Sequence, residues 1–175
     1  MVDKSKQMDM LKKALAIETK EKSYYEEAAA NAQNQIAKQV FEKLIAAEDE
    51  HARGVSTIVE QLQMGGEWPA AGESWQEHRL GAVMAGIESA APAGVEPSRT
   101  ELEAIKAAMA REIEAYDMYK SRAKEAEIDP EKRFYDTLAG EEREHHLALL
   151  DAFEYLTDPA GWYTMKEKWT LEGGG

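Results

Sequence analysis

Two stretches decide the fold: LIAAEDEHARGV at residues 44–55 and LAGEEREHHLALLD at residues 138–151. Each sets a Glu-x-x-His pair, Glu48 with His51 and Glu142 with His145, into an apolar seam. In alternating three- and four-residue steps the first seam reads Ala37, Phe41, Leu44, Glu48, His51, Val55, Ile58, Leu62. The second reads Tyr135, Leu138, Glu142, His145, Leu149, Ala152, Leu156. That spacing is one face of an α-helix. The two stretches lie 94 residues apart, and the same offset, without a gap, brings Ala14, Ala16, Glu18, Tyr25, Ala29, Lys38, Leu44, Glu48, Glu50, His51 and Leu62 onto identical residues. Leu11 meets Ile105 and Phe41 meets Tyr135 at that offset. A duplication of this length predicts two copies of one helical hairpin.

Working outward, two tracts at about 5–63 and 98–157 are rich in Ala, Glu, Lys, Gln and Leu and hold only Gly54 and Gly140. Each is helix-forming and too long for one ordinary helix, so each is expected to fold back on itself. Ser98 with Glu101 reads as a capping box opening the second tract. Asp129 reads as the cap of a helix whose first residue is Pro130. In the first tract the break is softer, around Asn31 to Gln35. The fold expected is all-α: a four-helix bundle over 1–157, made of two hairpins joined by a long crossover at 64–97 with a short helix near 76–91. Residues 158–175 form a tail with Trp162, Tyr163 and Trp169, expected to pack somewhere.

The 175 residues carry 34 acidic and 21 basic side chains, a net charge of −13, and no cysteine. One domain of this size can bury a core. Disulfides, iron–sulfur clusters and thiolate chemistry are excluded. The acidic balance argues against nucleic acid as a partner. No apolar run approaches the ~20 residues of a membrane span, and the N-terminus lacks a signal-peptide stretch, so a cytoplasmic protein is expected.

The remaining seams complete a constellation. The third helix reads Leu102, Ile105, Met109, Glu112, Tyr116, Tyr119, Ala123, and the first reads Leu11, Leu15, Glu18, Lys22, Tyr25, Ala29. In the first, Lys22 is out of place and Glu21 is the alternative. Residues equidistant from a hairpin turn lie level. Glu18 and Glu48 flank position 33 symmetrically, and Glu112 and Glu142 flank position 127. Four carboxylates and two imidazoles therefore converge inside the bundle. Burying them unpaired costs several kcal/mol each, so such a cluster protonates or recruits cations. Two divalent ions neutralise four glutamates, and the mixed donors suit iron or manganese and accommodate zinc. Di-iron carboxylate bundles use this set, one Glu from each of two helices and Glu-x-x-His from each of the others.

The segments AIETKEKSYYEEAA, LIAAEDEHARGV, AREIEAYDMYKSRA and LAGEEREHHLALLD resemble the four helices of rubrerythrin-like proteins of the ferritin-like superfamily. The resemblance spans about 5–157, and EYLTDPAGWY is similar to the tails of members without a rubredoxin domain. It implies Glu18, Glu48, His51, Glu112, Glu142 and His145 as ligands of two irons, with Tyr25 and Tyr119 as hydroxyls behind them. It also implies reduction of hydrogen peroxide with electrons from an external donor protein. Two departures stand out. No cysteine-bearing rubredoxin module is present, and the further glutamate expected three residues after the third-helix ligand is Ala115. Glu21, at the corresponding place in the first helix, is the candidate substitute ligand; Glu114 is a second.

The expected function is a di-iron oxidoreductase acting on peroxide or O2. The alternatives are a ferroxidase or iron-handling protein and a metal-free structural bundle. A homodimer is expected, with hairpins pairing within one chain or swapping between two. His146 is read as a partly exposed polar residue and His78 as having no ligand role. Glu50 and Glu144 are read as solvated, and Met8, Met109 and Met118 as core filling.

Overall fold

The computed structural model describes residues 4–69 and 96–171, with side chains as far as Met165. The helices are α1 (Lys4–Asn31), α2 (Gln35–Gln63), α3 (Arg99–Glu125), α4 (Asp129–Thr157) and α5 (Pro159–Leu171), and no strand forms among the described residues. The expected helix near 76–91, His78 and the final glycines lie outside the described residues, as does the side chain of Trp169.

Local chemistry sets the ends. The soft break closes at Asn34, whose side chain accepts from the amides of Ile36 at 2.9 Å and Ala37 at 3.0 Å. Ser98 and Glu101 form the expected capping box. At α4 the expectation is corrected: Ile128 occupies the cap position without a side-chain bond, and Asp129 already belongs to the helix. Proline needs no amide partner in a first turn, so the helix starts one residue early, and Asp129 and Glu131 contribute charge at its positive end instead. α2 stops in a Schellman motif. The amides of Gly66 and Gly65 reach the carbonyls of Gln61 (3.0 Å) and Leu62 (3.1 Å), which requires the positive φ of 82° at Gly65.

α1 packs along α2 and α3 along α4, and the hairpins meet through α1 against α3 and α2 against α4. Glu101, at the start of α3, accepts from the amides of Gln33 (2.7 Å) and Asn34 (2.6 Å), at the start of α2. Gln7 donates to Glu131 at 2.8 Å, which joins the start of α1 to the start of α4. Hence α2 and α3 run parallel, and residues 64–98 connect opposite ends of the bundle, a span of about 43 Å for a helix of this length.

The duplication reappears as burial. The buried positions of α1 (Gln7, Leu11, Ala14, Glu18, Glu21, Tyr25, Ala29) each map by 94 onto a buried position of α3 (Glu101, Ile105, Ala108, Glu112, Ala115, Tyr119, Ala123). This corrects the expected seams: Ala14, Ala108 and Ala115 face the core where Leu15, Met109 and Tyr116 were expected, and Glu21 replaces Lys22. Small residues let paired helices approach, while the larger side chains flank the contact half-buried. Met8, Met109 and Met118, expected as core filling, are half-buried and pack against the edge of the core instead.

Two apolar clusters sandwich the polar centre. One holds Tyr25, Phe41, Leu44, Ile105 and Leu149, and the other Leu11, Val55, Ile58, Tyr119 and Leu138. The tail also docks: Trp162 is buried, its Nε1 donates to Asp151 at 2.8 Å, and its ring meets Tyr155 and Tyr163 edge-on. No described helix is long and apolar enough to cross a membrane.

Candidate metal centre

α1 and α3 each bring one glutamate to mid-height, and α2 and α4 each bring a Glu-x-x-His pair. All six residues are at most 1 % exposed. Their atoms form two overlapping groups, Glu18, Glu48, His51, Glu142 and Glu48, Glu112, Glu142, His145. Within each, one donor atom per residue lies within 4.8 Å of the others. Glu48 and Glu142 belong to both. Glu48 places one oxygen 3.3 Å from His51 Nδ1 and the other 3.1 Å from His145 Nδ1. Glu142 does the same at 3.3 and 3.4 Å. The imidazoles lie parallel between them, centroids 5.2 Å apart.

Both oxygens of Glu48, both of Glu142, Oε2 of Glu112 and Nδ1 of His145 are buried and make no hydrogen bond. Unsatisfied buried polar atoms are rare in folded proteins because each forfeits its hydration. Six of them within these two overlapping groups of residues, all oxygen or imidazole nitrogen, fit bound metal cations better than they fit any packing role.

Electrostatics agree. Burial raises Glu18 and Glu112 well above the usual carboxylate range, past what the neighbouring imidazoles take back. Burial pushes Glu48 and Glu142 upward too, but the positive charge of the imidazoles beside them outweighs it, and both end low. Burial alone would depress His51 and His145, yet the surrounding carboxylates hold both well above the ordinary imidazole value. Without cations the centre balances itself with protons.

The tyrosines reach across the pseudo-twofold. Tyr25 on α1 donates to Glu112 on α3, and Tyr119 on α3 donates to Glu18 on α1. Burial first, then the facing carboxylate, keeps both phenols protonated. Glu21 is buried, but its carboxylate is held by Arg111 at 2.7 Å and belongs to neither group. Glu114 is exposed. His146, half-buried, lies 3.1 Å from the carbonyl of Met109.

Glu141 escaped the sequence reading. It is buried and lies 2.6 Å from His51 Nε2, an arrangement that leaves Nδ1 aimed at the centre. Its repeat partner is Ala47, so only the acidic run Glu141–Glu142 could have drawn attention to it. Arg111, whose guanidinium also lies over the Tyr24 ring at 4.6 Å, was likewise missed.

Residues 9–154 match the family model for Rubrerythrin. No curated protein and no solved structure matches the chain. With that match spanning both hairpins, over a bundle whose buried glutamates and histidines converge at mid-height, the chain belongs to the rubrerythrin family and has the ferritin-like four-helix fold.

Proposed function

We propose that this protein is a peroxide-reducing di-iron oxidoreductase. Glu48 and Glu142 would serve both irons, Glu18 with His51 would hold one, and Glu112 with His145 would hold the other. The observation that carries the reading is the sharing of Glu48 and Glu142 between both imidazoles. Bound iron would supply two electrons, one from each Fe(II), for cleaving an O–O bond. The chain supplies the rest. The flanking apolar clusters exclude bulk water. Tyr25 and Tyr119 hold protons on hydroxyls that already touch Glu112 and Glu18, within reach of an oxygen product. Returning the irons to the ferrous state calls for an electron donor outside these cysteine-free residues.

The test begins with metal content after anaerobic loading with Fe(II) and desalting. Two irons per chain are expected, and Glu48→Ala should lose them while keeping its helical signal. A folded sample that retains no metal would overturn the reading in favour of a structural bundle. Mixing the loaded protein with peroxide or O2 then separates the activities: faster oxidation by peroxide is expected. Preferential O2 consumption, with iron retained beyond two per chain, would identify a ferroxidase instead.

A further inference from the structure

The end of the bundle where α1 and α4 start and α3 stops holds a small pocket apart from the metal centre. Tyr135, on its wall, stands about 10 Å along α4 from Glu142. Gln7, Met10, Arg122 and Glu131 line the pocket too, and Gln7 donates to Glu131 at 2.8 Å. The 94-residue offset makes this end unlike the opposite one: Ala104, Ala28, Ala37 and Phe41 stand there where Met10, Arg122, Glu131 and Tyr135 stand here.

Two buried donor atoms of the pocket residues make no hydrogen bond, the Tyr135 hydroxyl and Nε of Arg122. Tyr135 is 1 % exposed, and Arg122 turns Nη1 to Glu125 at 3.0 Å. Burial first, then the Glu131 carboxylate, raises the Tyr135 phenol; Arg122 takes back less, so the hydroxyl keeps its proton. Each unmatched donor calls for an acceptor, which excludes a cation. Glu125, Glu127 and Glu131 outnumber Lys6 and Arg122 around the same space, which disfavours an anion. A neutral oxygen acceptor remains, and the volume left for its centre, about 10 Å³, suits one water-sized group. Water meets that demand, and so does one hydroxyl of hydrogen peroxide. Met10 separates the two, because a thioether is oxidised by peroxide and is inert to water.

We propose that this pocket binds hydrogen peroxide and makes Met10 a site of oxygen transfer. The sulfur lone pair attacks one peroxide oxygen, an S–O bond forms and the O–O bond breaks. Sulfur loses two electrons, the peroxide gains them, and the proton on the transferred oxygen passes to the departing one. The products are methionine sulfoxide and water. Tyr135 and Arg122 donate to the departing oxygen while its charge develops. Methionine sulfoxide reductases return the sulfoxide to thioether, so the modification is reversible. No metal takes part, so this reactivity stands apart from the iron reading.

The metal-free protein is to be treated with hydrogen peroxide, and sulfoxide at each methionine followed over time by peptide mass spectrometry. Met64, 84 % exposed, reports the rate of a thioether in open solvent. Met10, although half-buried, should be oxidised faster than Met64. Tyr135→Phe removes only the hydroxyl and leaves a Tyr–Phe stack like that of Tyr25 on Phe41. It should slow Met10 oxidation by roughly three- to tenfold, the worth of one hydrogen bond, with Met64 unchanged. Arg122→Gln should do the same. The bulkier tert-butyl hydroperoxide should reverse the order, oxidising Met64 ahead of Met10. A Met10 rate at or below that of Met64 in hydrogen peroxide means a water site only and overturns the proposal. So does an unchanged Met10 rate in either variant with a wild-type helical signal. Neither outcome touches the iron reading, which stands or falls on metal content.

Discussion

Nε2 of His51 lies 2.6 Å from Glu141, and the 94-residue offset puts Ala47 where a matching carboxylate for His145 would stand. A carboxylate behind a ligating imidazole fixes its tautomer and raises its basicity, and losing such a partner typically costs about 10–100-fold in metal affinity. Glu141→Ala should therefore weaken one of two metal-binding steps by about that factor, measured by titration against a competing chelator, with the other step unchanged. The sequence could not single Glu141 out: it sits one residue off the seam in an acid-rich helix, and the repeat does not preserve it. Glu21 illustrates the converse. Its seam position was legible, but its Arg111 partner, 90 residues away, was not.

Among the elements, one side chain ties the opening turns of the two hairpins together. Glu101 caps its own helix through Ser98 and also accepts the amides of Gln33 and Asn34, which open α2. Burial would raise its carboxyl, but these amides outweigh that and hold it below the usual range. A lowered value in the fold means that the contribution is complete above the unfolded value of about 4.3 and fades as acid protonates the group. Glu101→Ala strands a buried amide and should lower unfolding free energy by roughly 2–3 kcal/mol near neutral pH in urea titrations, and by less in acid. The helices themselves were readable from composition, caps and period. What period could not decide was which of two adjacent apolar residues faces inward. Ala14 and Ala108 take the core in place of Leu15 and Met109 because helix spacing, a tertiary quantity, selects for small size.

For the molecule as a whole, the centre is balanced by protons in sites that could hold cations. His51 and His145 are held high in the fold, so their charged pairing with Glu48 and Glu142 stabilises the metal-free protein fully below the unfolded imidazole value of about 6.5. That contribution is lost as pH rises through the raised values. The melting temperature of the metal-free protein should thus fall as pH rises above the unfolded imidazole value of about 6.5, while the loaded protein holds steady. Loading should also release protons, measurable as a buffer-dependent heat in calorimetry. A homodimer of a single hairpin would give its two metals identical surroundings by symmetry. Fusing two copies in one chain removes that constraint, and Glu141 opposite Ala47 is one of the differences that followed. Two irons bound here should consequently give two distinct quadrupole doublets in a Mössbauer spectrum, and the electron that leaves first should come from a defined one of them.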